Sequence, residues 1–384
     1  MKYDFDSITD RRNTNSLKWN VNKNELPMWV ADMDFKTAPE IIKAIEERAS
    51  HGVFGYSDIT DEWYDAYINW WKNRHDIEYK REDIIFSTGV IPTISSCVRK
   101  LTTPAENVLI MTPVYNIFYN CILNNGRNVL ESPLIYENGE YKINWSDLED
   151  KLKDSQTTLM LLCNPHNPIG KIWDRKTLQK IGQLAYENGV IVLSDEIHCD
   201  ITDPEKNYTP FASCSDLCEY NSIICIAPTK AFNLAGLQTS AVVVRNSKLR
   251  HKVWRGLNTD ECGEPNAFAV QAAIAAFNYG GEWLDSLREY IFHNKQIVHN
   301  FLIENIPKVK LIRSEATYLL WLDCSKITNN SKQLTEYIRR STGLYLSDGM
   351  QYGGGEKFIR MNIACPRDTL YDGLERLKKA IESL

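Results

Sequence analysis

Ala227-Pro-Thr-Lys-Ala-Phe-Asn-Leu-Ala-Gly-Leu-Gln-Thr-Ser240 is the stretch that decides the fold. It follows the apolar run 222–226 and precedes a second apolar run, 241–244, and each run is typical of a buried strand. The pattern therefore predicts that Lys230 lies in a loop between two strands. A single lysine at a strand end is more often solvated than chemically active. Its role depends on what the neighbouring strands carry.

Length and charge limit the class of protein. The 384 residues are enough for two or three domains, and 43% of them are hydrophobic. The net charge of −6 argues against nucleic acid, because phosphate backbones are bound by concentrated lysine and arginine. No apolar run reaches the roughly 18 residues of a membrane span, and the polar N-terminal residues contain no apolar core of signal-peptide length. We expect a soluble cytoplasmic protein that binds a small molecule, without nucleic-acid or membrane partners.

The ten cysteines are scattered along the chain, several of them inside apolar runs. This distribution is typical of buried, reduced thiols in a cytoplasmic protein. Cys214 and Cys218 are close in sequence, but their spacing is not that of a zinc motif and no second pair of ligands is near. We expect no metal site.

Short apolar strands alternate with helices between residues 84 and 244. The predicted strands are 84–87, 108–111, 158–163, 190–193, 222–226 and 241–244, with helices 92–101, 115–124 and 174–188 among them. This alternation predicts an α/β fold with a mostly parallel, doubly wound sheet. Ligands of such sheets bind beyond the carboxyl ends of the strands.

The sequence texture changes near residue 285, where a smaller α+β layer is predicted. We expect a large cofactor-binding domain over residues 51–285 and a small domain formed by 1–50 plus 286–384. The glycine-rich segment 349–355 is predicted to be a flexible loop able to close over a site.

Four strand ends carry residues suited to chemistry. Ser87-Thr-Gly-Val-Ile-Pro-Thr93 leads into a helix, whose free N–H groups and positive end suit a phosphate. Asn164-Pro-His-Asn-Pro-Ile-Gly170 predicts a rigid turn with an amide donor. Ser194-Asp-Glu-Ile-His198 adds an aspartate and a histidine, and Pro228-Thr-Lys230 adds the lysine. Each motif alone is more often a turn or a helix cap, but their joint occurrence indicates one cofactor site.

Pyridoxal 5'-phosphate (PLP) requires this set of groups. It needs a lysine for covalent attachment, a carboxylate at the pyridine nitrogen, a donor to the ring oxygen and a helix N-terminus for the phosphate. Over almost its whole length the chain resembles fold-type I PLP-dependent enzymes of the class I/II aminotransferase group. The motifs quoted above, with the early Val30-Ala-Asp-Met-Asp-Phe35, resemble the branch of C–S lyases that contains cystathionine β-lyase and cystalysin.

The resemblance implies roles for individual residues. Lys230 would bond covalently to the cofactor and carry the proton at the substrate Cα, and Asp195 would face the pyridine nitrogen. Asn167 and His198 would bond the ring oxygen, where many aminotransferases have a tyrosine in place of the histidine. The further cofactor-binding residues that the resemblance implies are Gly89, Val90, Ile91, Thr229 and Tyr115.

Two catalytic tyrosines are implied besides Lys230. Tyr115 would stack on the cofactor ring, and Tyr56 would reach the phosphate site of a neighbouring subunit. A shared site of this kind implies a homodimer.

The resemblance also implies a substrate-binding arginine and one departure from the family pattern. Arg360, in Ile-Arg-Met-Asn-Ile-Ala, would bind the substrate α-carboxylate through two parallel hydrogen bonds. Arg367 competes for this role, but its place at a predicted helix start favours the surface. Many relatives have a phosphate-binding arginine eight residues after the lysine, where this chain has Gln238.

The resemblance favours α,β-elimination from L-cystathionine or a related cysteine S-conjugate, which yields a thiol, pyruvate and ammonia. One alternative is an aminotransferase of an L-amino acid, since the same cofactor serves both reactions. A regulatory binding protein with secondary catalysis is the third hypothesis.

Overall fold

A computed structural model describes residues 2–384, which form twelve α-helices and fifteen β-strands. The helices are α1 (Pro39–Ser50), α2 (Asp61–His75), α3 (Val90–Leu101), α4 (Ile117–Leu123), α5 (Trp145–Leu152), α6 (Arg175–Glu187), α7 (Asp216–Tyr220), α8 (Ser247–Thr259), α9 (Ala269–Tyr279), α10 (Gly281–Asn305), α11 (Ser331–Thr342) and α12 (Arg367–Glu382). The strands are β1 (Leu26–Pro27), β2 (Ile84–Ser87), β3 (Asn107–Thr112), β4 (Asn128–Pro133), β5 (Ile135–Glu137), β6 (Glu140–Lys142), β7 (Thr157–Cys163), β8 (Ile191–Asp195), β9 (Ser222–Ile226), β10 (Ser240–Val243), β11 (Lys310–Leu311), β12 (Leu319–Asp323), β13 (Leu344–Tyr345), β14 (Ser347–Asp348) and β15 (Phe358–Asn362).

A seven-stranded sheet in the order β2-β10-β9-β8-β7-β3-β4 forms the centre of the molecule. Within this sheet β10 runs antiparallel to both β2 and β9, and every other neighbouring pair is parallel. The prediction of an α/β fold with a mostly parallel sheet is confirmed. Five of the six predicted strands lie within one residue of their observed bounds, and the sixth, 190–193, ends two residues early.

Helices cover both faces of the central sheet because its buried strands are apolar on both sides. In β3, Val108 and Ile110 join the hydrophobic cluster that contains α3, α4 and α8. Leu109 and Met111 of the same strand join the other cluster, which contains α2, α6 and α9. This alternation is the two-residue period of a strand. It explains why the strands appear in the sequence as continuous apolar runs.

Several elements were missing from the prediction. The edge strand β4 is only half-buried and has a short apolar run, Val129-Leu130, so it gives little signal. The helices α8 and α9 follow β10 and were not predicted, although both bury an apolar face.

A second, four-stranded antiparallel sheet, which we call the small sheet, has the order β11-β12-β15-β14. The N-terminal strand β1 pairs in parallel with β13, with Leu26 opposite Leu344. The helix α1, in contrast, packs against α9 of the larger unit. The N-terminal residues therefore contact both parts of the molecule, and the boundaries 51–285 and 1–50 plus 286–384 stay a prediction.

The expectation of a flexible loop over 349–355 needs correction. Residues Gly349–Tyr352 form a 3-10 helix, and Tyr352 is buried. A Cβ atom at Gly349 would lie 2.1 Å from the carbonyl oxygen of Phe358, and one at Gly355 would lie 2.1 Å from that of Gly349. These glycines allow close backbone packing, which is another common reason for glycine besides mobility.

Two observations bear on the environment of the protein. The ten cysteines, all within residues 2–384, are free thiols, and nine of them are buried. Among the helices of the described residues, none is long and apolar enough to cross a membrane.

We predict that Leu322→Ala destabilises the small sheet. Leu322 lies in β12 and is 0% exposed, so the substitution leaves a cavity that should cost about 2–5 kcal/mol of unfolding free energy. Chemical denaturation measures this cost. Leu17→Ala is the matched control, because Leu17 is 69% exposed and its truncation should change stability little. Equal effects of the two substitutions would contradict the assignment of β12 to the core.

Candidate active site

The carboxyl ends of neighbouring strands meet at one cavity of about 240 Å³. Cys163 at the end of β7 lies opposite Asp195 at the end of β8, and Asp195 lies opposite Cys225 of β9. The polar residues that follow these strands therefore come together, although they are far apart in sequence. The predicted residues that line the cavity are Gly89, Val90, Ile91, Tyr115, Asn167, Asp195, His198, Thr229 and Lys230.

Lys230 brings a partly buried amine to the cavity. Its Nζ donates a hydrogen bond of 2.6 Å to the carbonyl oxygen of Ala31. Burial lowers the pKa of Lys230 to about 8 from an ordinary value of 10.5, with Arg360 adding to the decrease, while the carboxylates of Asp32 and Asp195 oppose it. An amine with this pKa is close to the balance between base and acid at physiological pH.

Asp195 brings a buried carboxyl group, only 3% exposed. Its Oδ1 accepts a hydrogen bond of 3.1 Å from the backbone N–H of Ile197. Burial raises the pKa of Asp195 to about 7, and the nearby Lys230 opposes that rise. A cationic group inside the cavity would stabilise the ionised carboxylate and bring this pKa down.

Two histidines near the cavity are held neutral. Burial lowers the pKa of His198 to about 3, with contributions from Lys230 and Arg360, and it lowers the pKa of His166 to about 4. Within the described part of the chain, Nδ1 of His198 is buried without a hydrogen-bond partner. His166 donates from Nε2 to the carbonyl oxygen of Pro113 at 2.8 Å, which ties the Asn167 turn to the segment that carries Tyr115. A neutral His198 can hydrogen-bond a ligand oxygen.

Arg360 approaches the cavity from the small sheet. Its Nη1 donates to Oδ1 of Asn167 at 3.2 Å, and its Nη2 donates to the carbonyl oxygen of Trp29 at 3.0 Å. The guanidinium lies 4.8 Å from the ring centre of Tyr352. Its Nε is buried, and no residue among 2–384 accepts a hydrogen bond from it. Arg360 therefore keeps donors free for a carboxylate.

The first turn of α3 faces the same cavity. The N–H groups of a helix's first turn lack partners within the helix, and the helix dipole makes this end positive. Gly89, Val90 and Ile91 line the cavity there, together with Thr88 and Thr229. This arrangement suits a phosphate group.

Gln238 also lines the cavity, at the position where many relatives have an arginine. Its backbone has a positive φ of 52°. The side chain is neutral, so this chain has one cation fewer near the helix end than the usual family pattern. A bound phosphate would rely more on backbone N–H groups and hydroxyls.

Two of the residues considered from the sequence lie away from the cavity. Tyr56 is fully exposed on the segment that joins α1 to α2. Arg367 lies 3.6 Å from a carboxylate oxygen of Asp6, and its guanidinium stacks on Tyr290. Arg360 rather than Arg367 therefore reaches the site.

Sequence reasoning missed three contributors to the site. The carbonyl oxygen of Ala31 accepts from Lys230 and, at 3.2 Å, from the hydroxyl of Tyr318. Tyr352 supports the guanidinium of Arg360. Backbone acceptors leave no residue signature, and the two tyrosines lie in segments that predicted only core or loop. The early 30–35 motif was the one available signal for Ala31.

The residues present fit PLP. A lysine, a carboxyl group and a helix N-terminus surround one cavity, and the buried Nδ1 of His198 and Nε of Arg360 still lack partners within residues 2–384. Buried polar groups without partners are costly, so a ligand that satisfies them would be bound favourably. The donor set matches the needs of a phosphorylated, oxygen-bearing pyridine ring.

Comparison with known proteins identifies the class. The profile of the family described as aminotransferase class I and II matches residues 20–377. The chain belongs to this family.

Within this family, the chain is similar over its whole length to two bacterial proteins and to one solved structure. The chain is 42% identical to cystathionine beta-lyase PatB of Bacillus subtilis, over 98% of this chain and 99% of that protein. It is 31% identical to protein MalY of Escherichia coli, with full coverage of both chains. The crystal structure of cystalysin from Treponema denticola, which contains a pyridoxal 5'-phosphate cofactor, has a TM-score of 0.96, 33% identity and full coverage of both chains.

We predict that Asp195→Asn stabilises the cofactor-free protein at pH 8 but not at pH 4. The raised pKa of Asp195 means that the folded state binds the proton more tightly than the unfolded state, so its ionisation destabilises the fold as pH rises from about 4 to 7. The amide stays neutral and its oxygen can still accept from Ile197. The gain at pH 8 should be on the order of 2–4 kcal/mol.

Urea unfolding of both proteins at the two pH values measures this gain. A stability difference of the same size at pH 4 and pH 8 would show that burial of the Asp195 charge is not its cause.

Proposed function

We propose that this protein is a PLP-dependent C–S β-lyase that consumes one water molecule and releases a thiol, pyruvate and ammonia from L-cystathionine or a related cysteine S-conjugate. One observation carries the proposal: Lys230 and Asp195 share one cavity that Arg360 borders. The similarity to cystathionine beta-lyase PatB and to cystalysin supports the choice of reaction.

The chain's own residues would hold the cofactor from three sides. The first turn of α3, with Thr229, would bind the phosphate, while Asp195 would pair with the ring nitrogen. Asn167 and the neutral His198 would bond the ring oxygen, and Tyr115 would cover the ring. When bound, the ring withdraws electrons and so stabilises negative charge at the substrate Cα.

Arg360 would orient the substrate. Its fixed guanidinium can give two parallel hydrogen bonds to the α-carboxylate, which sets the direction of the Cα–H bond. Asn167 and the carbonyl of Trp29 already hold Nη1 and Nη2 in place, so little order is lost when the substrate binds.

Lys230 would remove the Cα proton as a neutral amine. The pKa of about 8 that burial gives it supports this role, since an appreciable fraction is unprotonated near neutral pH. The ammonium that results is close to the reacting atoms and can give its proton to the departing thiolate, which then leaves as the thiol. A thiolate leaves readily from Cβ, so positioning and charge stabilisation carry most of the catalysis.

We predict that the purified protein with PLP releases pyruvate from L-cystathionine, and that Lys230→Ala abolishes both pyruvate release and the absorbance band of lysine-bound cofactor. A coupled lactate dehydrogenase assay measures pyruvate. Lys171→Ala, outside the cavity, is the control and should keep both signals. If the protein binds PLP but releases no pyruvate from L-cystathionine, the lyase proposal is wrong. A keto acid that retains the substrate sulfur would identify an aminotransferase.

We further propose a homodimer with shared active sites, in which Tyr56 serves the phosphate site of the neighbouring subunit. Full exposure of Tyr56, beside the exposed side chains of Val53 and Phe54, supports a surface that is covered by another copy. A cytoplasmic location is part of the proposal, supported by ten free cysteines within residues 2–384.

We predict complementation between two inactive variants. Tyr56→Ala and Lys230→Ala should each have low activity as pure dimers. After mixing, unfolding and refolding, about a quarter of the native activity should return, because half of the dimers are mixed and each has one intact site. Pyruvate release from the mixture measures this recovery. Activity no higher than the mean of the two pure variants would exclude a shared site.

A further inference from the structure

Five consecutive backbone carbonyls, those of residues 29–33, accept hydrogen bonds from side chains elsewhere in the chain. We call this segment the strap. The donors are Arg360 and Ser347 to Trp29, Asn362 to Val30, Lys230 and Tyr318 to Ala31, Asn362 and Lys18 to Asp32, and Asn233 and Arg11 to Met33. The strap belongs to no helix or strand, so side chains replace the partners that a sheet would give.

The strap joins the two cations of the proposed site. The carbonyl of Ala31 lies 2.6 Å from Nζ of Lys230, which follows the central sheet. The carbonyl of Trp29 lies 3.0 Å from Nη2 of Arg360, which is in the small sheet. The carbonyls of Trp29 and Ala31, two residues apart, thus fix the Arg360 and Lys230 side chains, which come from different sheets.

An asparagine closely follows each of these cations and holds the strap. Asn233, three residues after Lys230, accepts from the N–H of Met33 at 3.0 Å and donates to the carbonyls of Met33 and Phe35 at 3.0 and 3.1 Å. Its φ of 56° is a conformation that asparagine tolerates better than most residues.

Asn362, two residues after Arg360, makes the equivalent contacts. Its Nδ2 donates to the carbonyls of Val30 and Asp32 at 2.5 and 2.6 Å. The side chain is buried, and its oxygen accepts from the N–H of Ala364. Asn233 therefore uses both the oxygen and the Nδ2 of its amide on residues 33–35, whereas Asn362 uses only its Nδ2 on the strap.

We propose that Asn233 and Asn362 are positioning residues, which hold the strap so that its carbonyls orient the Lys230 amine and the Arg360 guanidinium. The inference rests on the proposed function in that both cations act on an amino-acid substrate. Neither asparagine touches the reacting atoms; each acts through the backbone of residues 29–33.

A carbonyl is suited to hold a catalytic lysine. It accepts a hydrogen bond from an amine and from an ammonium group, so it orients Lys230 in both protonation states. A carboxylate in the same place would favour the ammonium and weaken the base. The Ala31 carbonyl therefore sets the direction of the amine and leaves its proton free to move.

Three variants test the proposal: Asn233→Asp and Asn362→Ala release the strap, and Asn188→Ala is the control. Asn233→Asp keeps the acceptor for Met33 but loses both donors. Asn188 also donates to a backbone carbonyl, that of Leu184, but it lies at the end of α6.

The first measurement uses the cofactor-free full-length proteins. Trinitrobenzenesulfonate labels free amines, and mass spectrometry gives the labelling rate of Lys230 relative to Lys295, which is 7% exposed and bonded to Asp203. We expect this ratio to rise about five-fold in both strap variants, because the free energy of one net hydrogen bond corresponds to a change of about that size. In the control the ratio should stay unchanged. A global loss of structure would raise both rates, so the ratio separates it from release of Lys230.

The second measurement uses the enzymes with PLP and a cysteine S-conjugate that carries deuterium at Cα. We expect kcat of Asn233→Asp to fall about ten-fold with a larger isotope effect on kcat, because a misplaced amine slows proton removal. In Asn362→Ala we expect mainly a higher KM, since the Trp29 carbonyl no longer fixes Arg360.

An unchanged labelling ratio in both strap variants would overturn the proposal, as would a fall in kcat of Asn233→Asp without a larger isotope effect. If the native protein releases no pyruvate, the proposed function fails, and the labelling ratio alone still decides whether the strap holds Lys230.

Discussion

Burial of polar groups with too few hydrogen-bond partners is the constraint on which the site depends. Asp195 accepts one hydrogen bond, from Ile197, and Lys230 gives one, to Ala31. Nδ1 of His198 has none within residues 2–384. Groups in this state are costly for the fold. Burial raises the pKa of Asp195 and lowers the pKa values of Lys230 and His198, which in each case favours the neutral form. A ligand that forms the missing hydrogen bonds removes this cost, so its binding is favoured.

The next residue after Asp195 shows the opposite solution. Glu196 is also buried, but its oxygens accept from the hydroxyls of Ser194 and Tyr208 at 2.8 and 2.6 Å and from the N–H of Phe211 at 2.9 Å. Nδ2 of Asn164, the first residue of the turn that carries Asn167, approaches it at 3.4 Å. The two consecutive acidic residues therefore have different roles. Asp195 faces the cavity, and Glu196 holds the surrounding segments together through hydrogen bonds.

Much of the fold and the site followed from local sequence signals. The strands of the central sheet are short apolar runs. Asp195 ends β8, and Asn167 and Lys230 lie a few residues beyond the ends of β7 and β9, so their convergence was predictable. The strap contributes through backbone carbonyls, which no residue type identifies. The glycines of 349–355 suggested mobility, whereas their role in close packing depends on Phe358, a partner across the small sheet.

The pairing of β1 with β13 has a consequence for the order of assembly during protein synthesis. Residues 26–27 pair with residues 344–345, and the carbonyl of Trp29 accepts a hydrogen bond from Arg360, which lies 331 positions later in the chain. The central sheet uses only residues 84–243, so it can form while the rest of the chain is still being made. The first strand, in contrast, leaves the ribosome long before its partner exists. The binding site is therefore completed only after residues 344–360 have been synthesised.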